Sequence, residues 1–386
     1  MYTMRLMNRI ELLPEVVLPG FVDGHVHLRE PGATEKEDLE TGTRAALGGG
    51  VVMVIDMVNN PGARTAQPER VDEKEARAMG RIFSDLGLHY GHQPEDDNIG
   101  TFEIVAPRVC GLKSMLEIST GSDVQTPPSK FQPGWGRWHE VAKPTQPIIL
   151  HAETETIEEA LWIAAKKIGH PTHVAHVSNE AELRAVIEAK EKGWPVTCEA
   201  TPHHLWFTEE DVINWYFRMK PFIGTERDRD YLRQNKRYID TIATDHAPHT
   251  FKEKEDANRL NPDALTGPKD VKSFGVPGLD TLLPMSMQAI REGWLTPDEL
   301  IAMTSTNPRR IFGLPDASPD ERVVVQTKEY EFGAEDVRSK CGWSPFIGRI
   351  ASGRVVQVVR GDRVLYDHGT FAAPSGRVVH PNLNAA

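Results

Sequence analysis

Short apolar runs rich in β-branched residues recur along the chain, at 18–23 (LPGFVD), 51–57 (VVMVIDM), 147–153 (PIILHAE), 172–177 (THVAHV), 195–200 (PVTCEA) and 239–245 (IDTIATD). Runs of this length read as buried strands. Between them lie helical patterns. At 156–168, Ile157, Ala160, Leu161, Ala164 and Ile168 keep the three-to-four spacing, Thr156 and Glu159 predict a capping box, and Gly169 a stop. The next unit repeats the scheme, with Ser178 or Asn179 as cap, Leu183, Val186 and Ile187 on one face, and Gly193 at the end. Strands that alternate with helices and are buried on both faces require a parallel α/β sheet. An open doubly wound sheet and a closed barrel both satisfy that pattern. His151, His176 and Glu199 each end a strand, about one β/α unit apart, and barrel enzymes place their chemistry at that rim. A (β/α)8 TIM-type barrel over 19–314 is therefore expected. From 315 the rhythm changes to alternating segments (RVVVQ, GRVVQVVRG, RVLYDHG) with turn signals and no helix, so residues 1–18 and 315–386 are expected to form a small β-sandwich-like appendage.

Charge and cysteine content narrow the function classes. Against 44 Lys and Arg stand 56 Asp and Glu, a net charge of −12, which repels a phosphate backbone and argues against nucleic acid as partner. Three cysteines set far apart suit a reducing compartment and make a disulfide framework improbable. The stretch MYTMRLMNRIELLPEVV has no unbroken apolar core of a secretory signal, and no window reaches the roughly 18 apolar residues of a membrane span. A cytoplasmic protein without membrane contact is the expectation.

The chain carries 15 histidines, and several sit where chemistry is expected. In GFVDGHVHLRE (20–30), His25 and His27 are two apart on an extended segment, so both imidazoles point the same way. Taken by itself, a His-x-His pair is most often structural. Here His151, His176 and Asp245 occupy equivalent strand ends, and a barrel would bring them to one centre. Imidazoles and carboxylates with open positions are what Zn²⁺ uses for hydrolysis.

Seven motifs in order, DGHVHLREPG (23–32), GLKSML (111–116), ILHAE (149–153), AHVS (175–178), TCEATPHH (197–204), TDHAPHT (244–250) and GVPGLDTLLP (275–284), resemble those of the dihydroorotases of the amidohydrolase superfamily. The likeness is greatest to the dihydroorotase domain of the animal multifunctional pyrimidine-synthesis protein and similar microbial enzymes. It implies reversible cyclisation of N-carbamoyl-L-aspartate to L-dihydroorotate, the third step of pyrimidine synthesis, at a binuclear metal centre with a bridging hydroxide. By resemblance, His25, His27 and Asp245 hold one zinc, His151 and His176 hold a second, and Lys113, carboxylated on its amine, bridges the two. Two adjacent dications need an anionic bridge, which an ammonium cannot supply. The resemblance also makes Asp245 the proton carrier between the attacking hydroxide and the leaving nitrogen. It assigns substrate contacts to Arg29, Asn59, His249 and the backbone at Pro277 and Gly278. Arg29 identifies the substrate, because a guanidinium grips a carboxylate in a fork and dihydroorotate differs from hydantoins and dihydrouracil by carrying one. A homo-oligomer is expected, with aspartate transcarbamoylase a candidate partner.

The chain departs from the family pattern in places. Met57-Val58-Asn59-Asn60 stands where Met-Pro-Asn-Thr is usual. Glu199 matches one ligand of a third metal site, but Ala175 stands where that site has cysteine, which argues against a third zinc. Lys220 replaces an arginine, weakening a second carboxylate contact, and Ser119 and Thr120 match the tip of the loop over the substrate only in part. Two other readings compete: a related cyclic-amide hydrolase of the hydantoinase or allantoinase type, opposed by Arg29 with Asn59, and a catalytically inactive structural partner, opposed by six retained ligands.

Overall fold

The structure is a computed structural model and describes residues 13–60, 62–119, 124–260 and 273–382. Parallel strands follow from the apolar runs. β1 (Glu15–Leu18), β2 (Phe21–Val26), β3 (Val51–Asp56), β4 (Asp85–Leu88), β5 (Tyr90–Gly91), β6 (Leu112–Met115), β7 (Ile148–His151), β8 (Thr172–Val174), β9 (Val196–Ala200) and β10 (Thr241–Ile242) come in chain order. They are followed by β11 (Glu321–Glu331), β12 (Ile350–Arg360), β13 (Arg363–Asp367) and β14 (Thr370–Phe371). β2, β3 and β4 form one parallel sheet, and β5 to β10 a second one in sequential order. Isolated parallel bridges, Val26 to His246 and His246 to Val276, run between the end of β2 and the segments beyond β10.

β3 explains why its sequence is apolar without alternation. Val52 and Val54 join a large core of strands and surrounding helices, whereas Met53 and Ile55 join a smaller cluster with Val22, Cys110, Ile149, Ala175 and Phe312. A strand covered on both faces needs apolar residues at both parities.

The run expected as one strand over 18–23 is two. Leu18 pairs with Val323 in an antiparallel sheet, while Phe21 pairs with Val51 in the parallel one. Pro19 lacks the N–H that a continuous ladder requires, and at Gly20 a Cβ would come within 2.4 Å of Val52 Cγ2, so the chain changes sheets at this dipeptide. The antiparallel sheet has the order β1-β11-β12-β13-β14; residues 1–12 and 383–386 of the expected appendage lie outside the described residues.

The helix after β7 corrects a second expectation. Thr156 makes no cap; its hydroxyl instead donates to Glu117 Oε1 at 2.5 Å, and residues 157–161 continue as a π-helix to Ile168 before Gly169 stops it at φ +81°. In the following unit Asn179, not Ser178, caps the helix Glu180–Glu191, accepting from Glu182 N. Among the described residues no helix is long and apolar enough to cross a membrane, and all three cysteines are free thiols.

Candidate metal centre and its cavity

β2 carries a register irregularity between Asp23 and Val26, and beyond it His25 and, just past the strand end, His27 point the same way as period two dictates. Asp245, beyond β10, meets both imidazoles: Oδ1 is 3.2 Å from His25 Nε2 and 3.0 Å from His27 Nε2. One ligand atom from each of the three lies within 4.8 Å of the others. His151 ends β7 and His176 follows β8, with His176 Nε2 3.0 Å from His151 Nδ1. The His25 and His176 rings, 5.3 Å apart, join the two groups. Lys113, in β6 beside β7, is buried at the same cavity.

Three buried polar atoms at this cavity, Lys113 Nζ, His176 Nδ1 and Arg29 Nη2, have no hydrogen-bond partner among the described residues, and His151 Nε2 has Glu153 Oε1 only at 3.6 Å. Leaving such groups unsatisfied costs about 1–3 kcal/mol each, so the cavity is built for a polar or ionic guest. Burial lowers the imidazole pKa values, to about 3 at His27 and well below the usual value at His176, which keeps lone pairs available for a metal. Burial also pushes the Lys113 ammonium down to about 8, opposed by the charges of Glu199 and Asp245. Burial alone would raise the Asp245 carboxyl, but His25 and His27 outweigh it and hold Asp245 below the ordinary carboxylate range. Burial-lowered imidazoles at His27, His151 and His176, the Asp245 carboxylate and a buried lysine form a donor set that fits a divalent metal.

Glu199 has a part that sequence reasoning did not assign. It accepts from His25 Nδ1, from His173 Nε2 at 3.2 Å and from the backbone N–H of His176 at 3.1 Å. Desolvation would raise its pKa, yet His25 and His173 hold it well below the usual value. Glu199 engages Nδ1 and leaves Nε2, the nitrogen on the Asp245 side, as the atom that His25 can offer to a metal. Ala175 lies in the apolar cluster beneath.

Arg29 is fully buried, with its Nε donating to Pro248 O at 3.3 Å, and burial lowers its pKa to about 10. Asn59, Ser119 and Lys220 share the cavity wall with it, together with Phe274; Thr120 lies outside the described residues. Lys220 Nζ pairs with Glu153 Oε2 at 3.2 Å. Three expected contacts are not on the wall. His249 directs Nε2 to Phe274 O at 2.9 Å and Nδ1 toward Lys36 and Glu253. Gly278 donates its N–H to His246 Nδ1 at 3.1 Å, and Pro277 sits beside it. Three site residues, Arg29, His176 and Asp245, adopt positive φ of 61°, 37° and 46°. Such strain in non-glycine residues gathers at functional sites, and no residue-type signal foretells it.

The amidohydrolase family matches residues 16–125. The multifunctional protein CAD of Squalus acanthias is 36% identical over 363 residues, covering 93% of this chain and 15% of that protein. This chain thus spans only a small part of that relative's length. The dihydroorotase of Pyrococcus horikoshii is 30% identical over 396 residues, covering 96% of this chain and 86% of that one. The chain belongs to the dihydroorotase family. Solved structures place the family fold among neighbours: the L-hydantoinase of Arthrobacter aurescens superposes with a TM-score of 0.83 at 23% identity, over 95% of this chain and 89% of that one. The inactive dihydroorotase-like domain of the Chaetomium thermophilum CAD-like protein superposes with a TM-score of 0.75 at 22% identity, over 94% and 99%. At such identities these likenesses speak for the fold alone. The described residues have a mixed α/β fold with two parallel sheets.

Proposed function

We propose that the chain catalyses the interconversion of N-carbamoyl-L-aspartate and L-dihydroorotate. The observation that carries this reading is the buried Arg29, whose Nη2 has no hydrogen-bond partner among the described residues and shares one cavity with the His25, His27 and Asp245 cluster. A desolvated guanidinium beside a hydrolytic centre suits a ring that bears a carboxylate, whereas a hydantoin leaves it uncompensated.

In this reading His25, His27 and Asp245 would hold one zinc, His151 and His176 would hold a second, and Lys113, carboxylated on Nζ, would supply the anionic ligand they share. Bound there, the two ions would polarise the ring amide and acidify water. The chain's own groups do the rest. Asp245, kept ionised, takes the proton of the attacking water on ring opening and delivers it to the leaving nitrogen; in closure it carries a proton the opposite way. Arg29 and Asn59 orient the carboxylate, with Lys220 beside them. His249, Pro277 and Gly278 complete the ring side once substrate is bound.

The reading extends to the whole chain. The bridges at Val26, His246 and Val276 support closure of the strands into a (β/α)8 barrel over 19–314, with 1–18 and 315–386 as the β appendage. The match to one part of a multifunctional relative supports association with a neighbouring enzyme such as aspartate transcarbamoylase, and self-association belongs to the same proposal. The test is direct: zinc-loaded protein should interconvert the two compounds, and Arg29→Met should lose on the order of 2–5 kcal/mol in kcat/KM with its metal retained. A preference of the unaltered protein for uncharged hydantoins would transfer the assignment to a hydantoinase. Lys113→Ala should lose both activity and bound metal, and full retention of either would remove the bridge.

A further inference from the structure

We propose that Lys74 is a positioning residue for the carboxylate-binding wall of the cavity, acting through the two segments that carry Arg29 and Asn59; the inference rests on the dihydroorotase reading. Lys74 lies on the helix Pro68–Ala78 with its side chain wholly buried and does not reach the cavity. Its ammonium finds an acceptor for each proton: Asp56 Oδ2 in a close ion pair, Met57 O at 3.1 Å and Asn60 Oδ1 at 3.3 Å. Asp56 uses its other oxygen to accept the Leu28 N–H at 2.8 Å, and Asn60 uses its amide nitrogen to hold Pro31 O at 2.9 Å.

Arg29 is therefore bracketed. The residue before it and the residue two after it are both tied, through one intermediary each, to the same ammonium. Asn59 is bracketed too, by the Met57 carbonyl and the Asn60 side chain. Arg29 needs such support because its φ of 61° is disfavoured for a side-chain-bearing residue, and strained conformations persist only where the surroundings over-determine them. A two-pronged grip on a carboxylate is intolerant of misorientation. A buried ion pair adds little net stability over an apolar pair of the same shape, which leaves the placing of Arg29 and Asn59 as what this one contributes. Asn60 belongs to the stretch in which the chain departs from Met-Pro-Asn-Thr, and its carboxamide supplies both an acceptor for Lys74 and a donor for Pro31.

The test uses the full chain loaded with zinc, as Lys74→Met and, separately, Asn60→Ala. Steady-state kcat and KM for L-dihydroorotate, metal per chain, and calorimetric binding of orotate are measured for each. Lys74→Met should raise KM and weaken orotate binding by about ten- to a hundredfold, with kcat within about threefold of the unaltered protein and metal content unchanged. Asn60→Ala should shift the same two quantities in the same direction by less. Unchanged KM and orotate affinity, or a parallel loss of kcat and metal, would overturn the assignment. Should Lys74→Met fail to fold, Asn60→Ala decides alone by the same criteria. If the unaltered protein binds neither dihydroorotate nor orotate, the dihydroorotase reading itself falls and takes this inference with it; if it binds both and the variants bind equally well, only this inference falls.

Discussion

At the scale of single residues, Asp245 and Glu199 are both buried carboxylates bonded to His25, yet they face opposite nitrogens and should fail differently. Asp245→Asn keeps an oxygen donor but cannot carry a proton. It should retain part of the metal and lose more than the roughly 10²- to 10⁴-fold credited to general acid-base catalysis, because the weaker donor also misplaces the reacting water. Ring opening and ring closure should respond to acidification in opposite directions, since one consumes the ionised form and the other the protonated form; profiles that rise together would exclude Asp245 as carrier. Glu199→Gln should leave proton transfer alone and act on the metal. The amide can offer its N–H to His25 Nδ1, inviting the other tautomer and turning the Nε2 lone pair away. Zinc affinity should drop about 10- to 100-fold, read by competition with a chelator. Both carboxylates were visible in the motifs as residues at strand ends. Their division of labour was not, because it depends on which ring nitrogen each one faces.

At the scale of elements, the helix Glu180–Glu191 carries a titrating group away from the metal cluster. Glu182 is buried in its first turn, accepting from Ser178 N and Oγ at 2.8 and 2.9 Å. Burial nevertheless raises its pKa from 4.5 to about 7. The folded state thus binds this proton more tightly than the unfolded chain. Its contribution is fully present below pH 4.5 and is lost as pH rises through 7. Relative to Glu182→Gln, the unaltered protein should lose up to about 3 kcal/mol of stability between those limits. Urea titrations at several pH values would measure it; a difference that does not vary with pH would mean that Glu182 keeps one charge state throughout. Element boundaries were legible where apolar runs were long. β4 and β5 escaped because Asp85, Gly87 and His89 interrupt the apolar pattern, and each is a strand because one neighbour, β3 for β4 and β6 for β5, supplies a ladder.

At the scale of the whole molecule, Asp85 joins parts far apart in sequence. Its carboxylate accepts from Arg360 Nη1 at 3.0 Å in β12 and from Arg377 N and Nη2 at 3.0 and 2.9 Å in the returning C-terminal segment. Asp85 itself is 2% exposed. Asp85→Ala should cost about 2 kcal/mol, with dihydroorotate turnover per folded chain unchanged, because the lost bonds lie at the beginning of β4 and the cluster lies at strand ends. Denaturant midpoints and specific activity of the soluble fraction would separate the two. A loss of activity in fully folded protein would show that this end of the strands communicates with the cavity.

In the sequence by itself, local periodicity determined the parallel α/β character, and resemblance of the motifs determined the family and the set of imidazoles and carboxylates expected at one centre. Tertiary structure alone decided how they meet. His25 and Glu199 are 174 residues apart and His27 and Asp245 are 218 apart, so their hydrogen bonds follow from strand register and not from any local pattern. The same holds for the positive φ at Arg29, His176 and Asp245, which surrounding contacts impose against intrinsic preference, and for the split at Pro19-Gly20, where two sheets compete for one apolar run. Periodicity is written residue by residue; tautomer, strain and sheet membership are settled by neighbours that only the folded chain brings together.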